Sequence, residues 1–214
     1  MMPGPDIIIA CPECASLAKV FSVASGNTFG ATFWTDGKVD APMLPRPPAI
    51  TKCHHCDVIY WVEDADKIGE YSAWESRDTD VDPAWGNAPD IEELTEDECY
   101  YAVDSGLGDT PEREEHLRFM TWRSSNDRHR NPSTPDNPPR DDRCIANMRS
   151  LFDLLDTENV DARITKAEVA RELGTFTEAI TLLTTIDDED REHIKSFLLD
   201  LCHQEITAVK KIPE

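Results

Sequence analysis

Residues 51–61, TKCHHCDVIYW, place two cysteines either side of two histidines, with a β-branched and aromatic run directly behind them. The same spacing occurs upstream in Cys-Pro-Glu-Cys, residues 11–14. Two cysteines separated by two residues turn their sulfurs toward one side of a tight loop. Two such loops can therefore offer four thiolates to a single ion. How Cys11, Cys14, Cys53 and Cys56 are read decides the fold of the N-terminal region.

The flanking sequence is strand-like. DIIIA (6–10), AKVFSVA (18–24), GATFWT (30–35) and DVIYWV (57–62) are rich in β-branched and aromatic residues, and Gly, Pro, Asn and Asp separate them. SGN and TDG suit turns. The proline-dense stretch at 40–50 suits an extended connection. A sheet this small lacks the apolar area to stand alone, and a four-thiolate metal site would pin it. Such a site is closed and leaves no position for a substrate, so the expected role is structural. His54 and His55 are expected to lie outside the ligand set. Two other chemistries use the same residues. Iron accepts the same four-thiolate geometry. Alternatively, IIIACPECASLAKVF reads as strand, CPxC and helix, the arrangement of thioredoxin-like redox proteins, in which a helix N-terminus lowers a thiol pKa.

The two knuckles, 11–14 and 53–56, resemble those of the zinc-ribbon fold group over about the first 62 residues. That resemblance implies Zn(2+) bound by Cys11, Cys14, Cys53 and Cys56. The 38-residue gap between the pairs accommodates a hairpin and the proline-rich loop. One departure stands out: ribbon knuckles often carry Gly after the second cysteine, where this chain has Ala15 and Asp57.

Lys plus Arg number 21 and Asp plus Glu 43, a net charge of −22. Residues 1–62 carry Lys19, Lys38, Arg46 and Lys52 against five acids, so nearly all the excess lies beyond them. Phosphate binding needs clustered cations, which argues against nucleic-acid or anionic-membrane partners. No apolar run is long enough to span a bilayer, and the start MMPGPDIIIACPEC lacks the basic segment and long apolar stretch of a signal peptide. A cytoplasmic location is expected, where paired cysteines favour metal over disulfide.

Beyond about residue 64 the pattern turns helical. Thr95 and Glu98 have capping-box spacing with Gly106 as a stop, and Thr110-Pro111 opens a second helix. The polar connection between the two regions carries Trp74 and Trp85, and residues 128–142 read as a proline-rich linker. Four further helices follow. The first, 142–156, is expected to bury Ile145, Met148, Phe152 and Leu155. The second spans about 161–173, and the third opens at Thr175 with Glu178 completing a capping box. The fourth buries Ile194, Phe197, Leu198 and Leu201. Residues 166–186, KAEVARELGTFTEAITLLTTI, resemble one tetratricopeptide-type hairpin: Ala167, Ala170, Gly174, Phe176, Ala179, Leu183 and Ile186 fall near that motif's small and apolar positions, while Lys166 departs from it.

Arg113, Arg118, Arg123, Arg128 and Arg130 are spaced too irregularly for one helix stripe and read as salt-bridged surface. Cys99, Cys144 and Cys202 read as buried apolar residues. No phosphate-binding glycine loop, GxSxG elbow or HExxH motif is present, so no catalytic residue and no organic cofactor is assigned.

The expected fold is α+β: a zinc-ribbon domain (1–64), an acidic helical region (65–127), the linker (128–142) and a tetratricopeptide-like bundle (143–214). This order resembles a group of uncharacterised bacterial proteins built from the same parts. The expectation is a non-enzymatic protein with a structural zinc site and a helical surface for a protein partner. A thiol-redox or rubredoxin-like iron protein using the same cysteines is the alternative.

Overall fold

Three consecutive isoleucines, Ile7–Ile9, give the N-terminal unit its central strand. The computed structural model describes residues 1–72, 82–130 and 139–213. Its elements are β1 (Met2–Pro3), β2 (Asp6–Ala10), β3 (Leu17–Val20), β4 (Val23–Ser25), β5 (Thr32–Phe33), β6 (Val39–Asp40), β7 (Ile50–Lys52), β8 (Ile59–Trp61) and β9 (Asp66–Tyr71). The helices are α1 (Pro83–Asn87), α2 (Glu96–Asp104), α3 (Pro111–Arg130), α4 (Asp142–Leu154), α5 (Val160–Glu172), α6 (Phe176–Thr184) and α7 (Glu192–His203). They form two compact units, one of residues 1–31 with 40–95, the other of 32–39 with 96 onward. The mixed character agrees with the expected α+β class. Trp74 and most of the proline-rich linker lie outside the described residues.

In the first unit β2 lies between β3 and β9, antiparallel to both. Ile7 pairs with Val20 and Ala10 with Leu17, so β2 and β3 form a hairpin whose turn is the Cys11–Cys14 knuckle. The β7–β8 hairpin pairs Ile50 with Trp61 and Lys52 with Ile59, and its turn is the Cys53–Cys56 knuckle. Residues 89–92 tie the two hairpins together. Lys19 N–H donates to the Pro89 carbonyl at 2.7 Å and Ile91 N–H to the Lys19 carbonyl at 2.9 Å. The Thr51 hydroxyl donates to the Glu92 carbonyl at 2.9 Å. The shared core is small: Ile9, Ala18, Val20, Tyr60 and Ile91 are buried together with Cys11 and Cys53. β9 is a strand where the sequence pattern suggested the onset of helix. Its side chains are mostly exposed, so no apolar periodicity marked it. Gly69 lets the Trp85 ring close on the strand; a Cβ there would stand 2.3 Å from the ring edge and the ring would have to shift.

The second unit is helical. Asp141 caps α4, its carboxylate accepting from Cys144 N–H at 2.8 Å, and Asn159 caps α5 by accepting from Ala162 N–H. The α5–α6 hairpin turns at Gly174, which has φ +79. Ala167, Ala170, Ala179, Leu183 and Ile186 are all buried in a cluster with Leu198, Leu201 and Cys202 of α7, and Phe176, Ile194 and Phe197 pack half-buried against it. Three details differ from expectation, the first being that Ile194 and Phe197 of α7 are only half-buried. The buried face of α4 is Cys144, Met148, Leu151 and Leu155, with Ile145 and Phe152 only half-buried. The Thr175 side chain does not cap α6; its hydroxyl donates to the Ala170 carbonyl at 3.0 Å. No helix among the described residues is long and apolar enough to cross a membrane.

Candidate metal centre

The two knuckles are built alike. Cys11 N–H donates to the Ser16 carbonyl and Ala15 N–H to the Cys11 carbonyl, both at 2.9 Å. In the second knuckle Cys53 N–H donates to Val58 at 2.9 Å and Asp57 N–H to Cys53 at 3.0 Å. Closing these turns forces the residue after the second cysteine into the left-handed region, with φ 57 at Ala15 and 60 at Asp57. The departure from Gly noted in the sequence therefore leaves the turn intact, at a conformational cost.

The turns bring all four Sγ atoms within 4.8 Å of one another. The contacts run across the knuckles: Cys11 to Cys56 is 3.8 Å and Cys14 to Cys53 is 3.7 Å. A metal bound at ~2.3 Å by four sulfurs in a tetrahedron requires sulfur–sulfur edges of ~3.8 Å. Two of the observed edges meet that value, and both are nearly twice the ~2.05 Å of a covalent disulfide. Cys11 and Cys53 are buried, Cys14 and Cys56 half-buried. The donor set thus fits a closed, four-sulfur metal site.

Backbone and side-chain donors support the sulfurs. His55 N–H approaches Cys53 Sγ at 3.4 Å. The Ser16 hydroxyl, joined by Ser16 N–H, lowers the Cys14 thiol to about 6. Burial raises Cys11. At Cys56 the Val58 N–H pulls downward, but desolvation and the neighbouring sulfurs prevail and push the thiol up to about 12. Burial, then the adjoining sulfurs, push Tyr60 up to about 12 as well. Four sulfurs this close cannot all ionise without a counter-charge, and a divalent cation would supply it while taking them as thiolates.

Both histidines of the CHHC loop lie outside the sulfur cluster. His54 and His55 are exposed, and His54 Nε2 lies 2.9 Å from the Asp90 carbonyl. The residues after Cys14 form β3, so no helix begins at the CPEC turn and the thioredoxin-like arrangement is not formed. Cys99, Cys144 and Cys202 are buried as expected, and burial pushes Cys202 up to about 11.

No protein-family model, curated protein or solved structure matches this chain. The resemblance to proteins combining a ribbon with helices consequently stands on the clustered cysteines and the helical C-terminal region alone.

Sequence reading missed a second polar centre, inside the helical unit. Asp36, Glu168 and Glu172 are buried together with Asn126 and Arg171. Arg130 reaches Asp36, and Asn126 Nδ2 donates to Asp36 at 3.0 Å. Glu172 accepts from Trp122 Nε1 and Arg140, both at 2.7 Å, and from Asn126 at 3.2 Å. Arg171 grips Glu168 through two bonds of 2.7 and 2.6 Å, and it also donates to the backbone carbonyls of Ile206 and Ala208. Three guanidinium groups face three carboxylates, so the cluster is neutral when all six are ionised. Burial pushes Glu172 above the ordinary carboxyl value, while Arg140 and Arg171 draw it back. The arginine-rich stretch is thus only partly surface. Arg118 pairs with Glu114 and Arg128 with Glu96, but the Arg130 side chain is 8% exposed.

Proposed function

We propose that the four-cysteine cluster holds a structural zinc ion, and that the helical unit offers a tetratricopeptide-like surface to a protein partner in a non-enzymatic, cytoplasmic protein. The observation that carries the metal reading is the sulfur spacing, 3.7 and 3.8 Å across the two knuckles, which matches the edge of a metal–sulfur tetrahedron. Two features support a structural role. All four ligands come from protein, and Cys11 and Cys53 belong to the small core that fixes both hairpins. When bound, the ion supplies a cross-link between the hairpins in place of apolar area they lack. The net charge of −22 supports a protein partner over nucleic acid or anionic lipid.

Elemental analysis of untagged protein, paired with thiol counting before and after chelation, tests the reading. One zinc per chain, with four thiols becoming reactive only on chelation, is the expected result. Iron, seen as visible absorption, would replace it with the electron-transfer alternative, since four thiolates accept either metal. A metal-free protein with an oxidisable Cys11–Cys14 pair would refute it in favour of thiol redox chemistry.

A further inference from the structure

Independently of the metal centre, the helical unit contains a recess of about 540 Å³ at α4 and the α5–α6 turn, within the size range of small-molecule sites. Its lining includes the buried Arg140–Glu172 pair, with side chains 9% and 0% exposed and 2.7 Å apart. Half-buried Ile145, Phe152 and Leu173 supply apolar wall. The rim carries three exposed charges, Arg149, Asp153 and Glu178.

Those three rim charges form no ion pair among the described residues. Arg149 and Asp153 stand one helical turn apart, where pairing is available, yet they remain separate. Arg140 is engaged through its two terminal nitrogens by Asn126, Cys144 and Glu172, which leaves its Nε–H without an acceptor among the described residues. The recess therefore offers two guanidinium groups, two unpaired carboxylates and an apolar wall. One rim cation against two carboxylates disfavours a simple anion, and a phosphorylated ligand would need more cations than are present. A simple cation would leave Arg149 unused beside an apolar wall. A molecule carrying both charges on a hydrocarbon body satisfies all three parts at once.

We propose that this recess binds a small apolar zwitterion, an amino acid or dipeptide with bulky hydrocarbon side chains. The ligand carboxylate meets Arg149 and the Nε–H of Arg140. The ammonium meets Asp153 and Glu178, and the hydrocarbon side chains lie against Ile145, Phe152 and Leu173.

Calorimetric titration of the full chain with the dipeptide leucyl-phenylalanine, its N-acetyl form and its C-terminal amide tests the assignment. The free dipeptide should bind saturably at one site per chain, and each cap should weaken binding by about tenfold or more, because each removes a charge-assisted contact. Arg149→Ala should weaken the free dipeptide to the same degree while leaving the amide unchanged. The pair Asp153→Asn with Glu178→Gln should do the same with respect to the N-acetyl form. These three residues are exposed, so the variants should fold as the parent does. Absence of binding at roughly 10 mM dipeptide would overturn the proposal. So would equal binding of the capped forms, or indifference to Arg149→Ala. Tighter binding of the amide than of the free dipeptide would replace the zwitterion with a cationic ligand.

Discussion

Replacing Ala15 with glycine should tighten metal binding, although the side chain removed touches no ligand. Ala15 holds φ 57 because its N–H must reach the Cys11 carbonyl to close the knuckle. An L-residue with a Cβ in that region costs ~1–2 kcal/mol, and glycine avoids it. Glycine's greater freedom in the unfolded chain returns ~0.5–1 kcal/mol of the gain. The net is ~0.5–1 kcal/mol in favour of the closed knuckle, or roughly a two- to fivefold gain in apparent metal affinity where closing the knuckle and binding metal are coupled. Asp57 has the same conformation, φ 60, but aspartate tolerates it better than alanine, and Asp57 also stands 4.0 Å from the Lys52 ammonium. Asp57→Gly should therefore change affinity little. Ala15→Val, with a branched Cβ in the same region, should weaken binding beyond the parent. Competition against a chromogenic chelator at fixed pH ranks all three. Unchanged or weaker binding by Ala15→Gly, or an Ala15→Val that binds like the parent, would refute the left-handed turn as the strained element.

Cys53→Ser should lose the metal and destabilise the sheet, since Cys53 is both buried and one of the four clustered sulfurs; Cys202→Ser, equally buried, should keep the metal, and elemental analysis separates them. Arg171→Met leaves Glu168 buried without its partner and should cost ~3–5 kcal/mol in chemical denaturation. Arg191→Ala breaks the exposed pair with Asp161 and should leave the denaturation midpoint nearly unchanged. His129 is lowered to about 4, first by burial and then by Arg140, Arg128 and Arg130. A base depressed in the folded state contributes stability that is present above its unfolded value near 6.5 and is lost as pH falls toward about 4. Denaturation series at pH 7, 6 and 5 should show that loss, and His129→Asn should flatten it; an unchanged slope in the variant would remove His129 from the account.

What was legible in the sequence was what chain spacing alone determines. Cys-x-x-Cys states its geometry within four residues, and each of the six helices among the described residues of the helical unit overlaps a segment with local start, stop or periodic signals. The α4 face was displaced because Ile145 outranks Cys144 in hydropathy, whereas the helix turns Cys144 inward to Met148, whose sulfur lies 3.8 Å away. β9 was invisible because its pairing with β2, Asp6 against Tyr71, is long-range and its own side chains are mostly exposed. The buried charge cluster is the extreme case. In a chain with 43 acidic residues, nothing local distinguishes Asp36, Glu168 or Glu172 from the solvated majority. What makes their burial tolerable is the partner, and apart from Arg171, three residues from Glu168, the partners are remote: Arg130 lies 94 residues from Asp36, Asn126 lies 90 from it, and the Ile206 carbonyl lies 35 from Arg171. A charge costs several kcal/mol to bury alone and little when its complement arrives with it. Burial of these residues is therefore a property of the assembled unit, and no window of sequence short enough to be read by periodicity contains both halves of any of these three contacts.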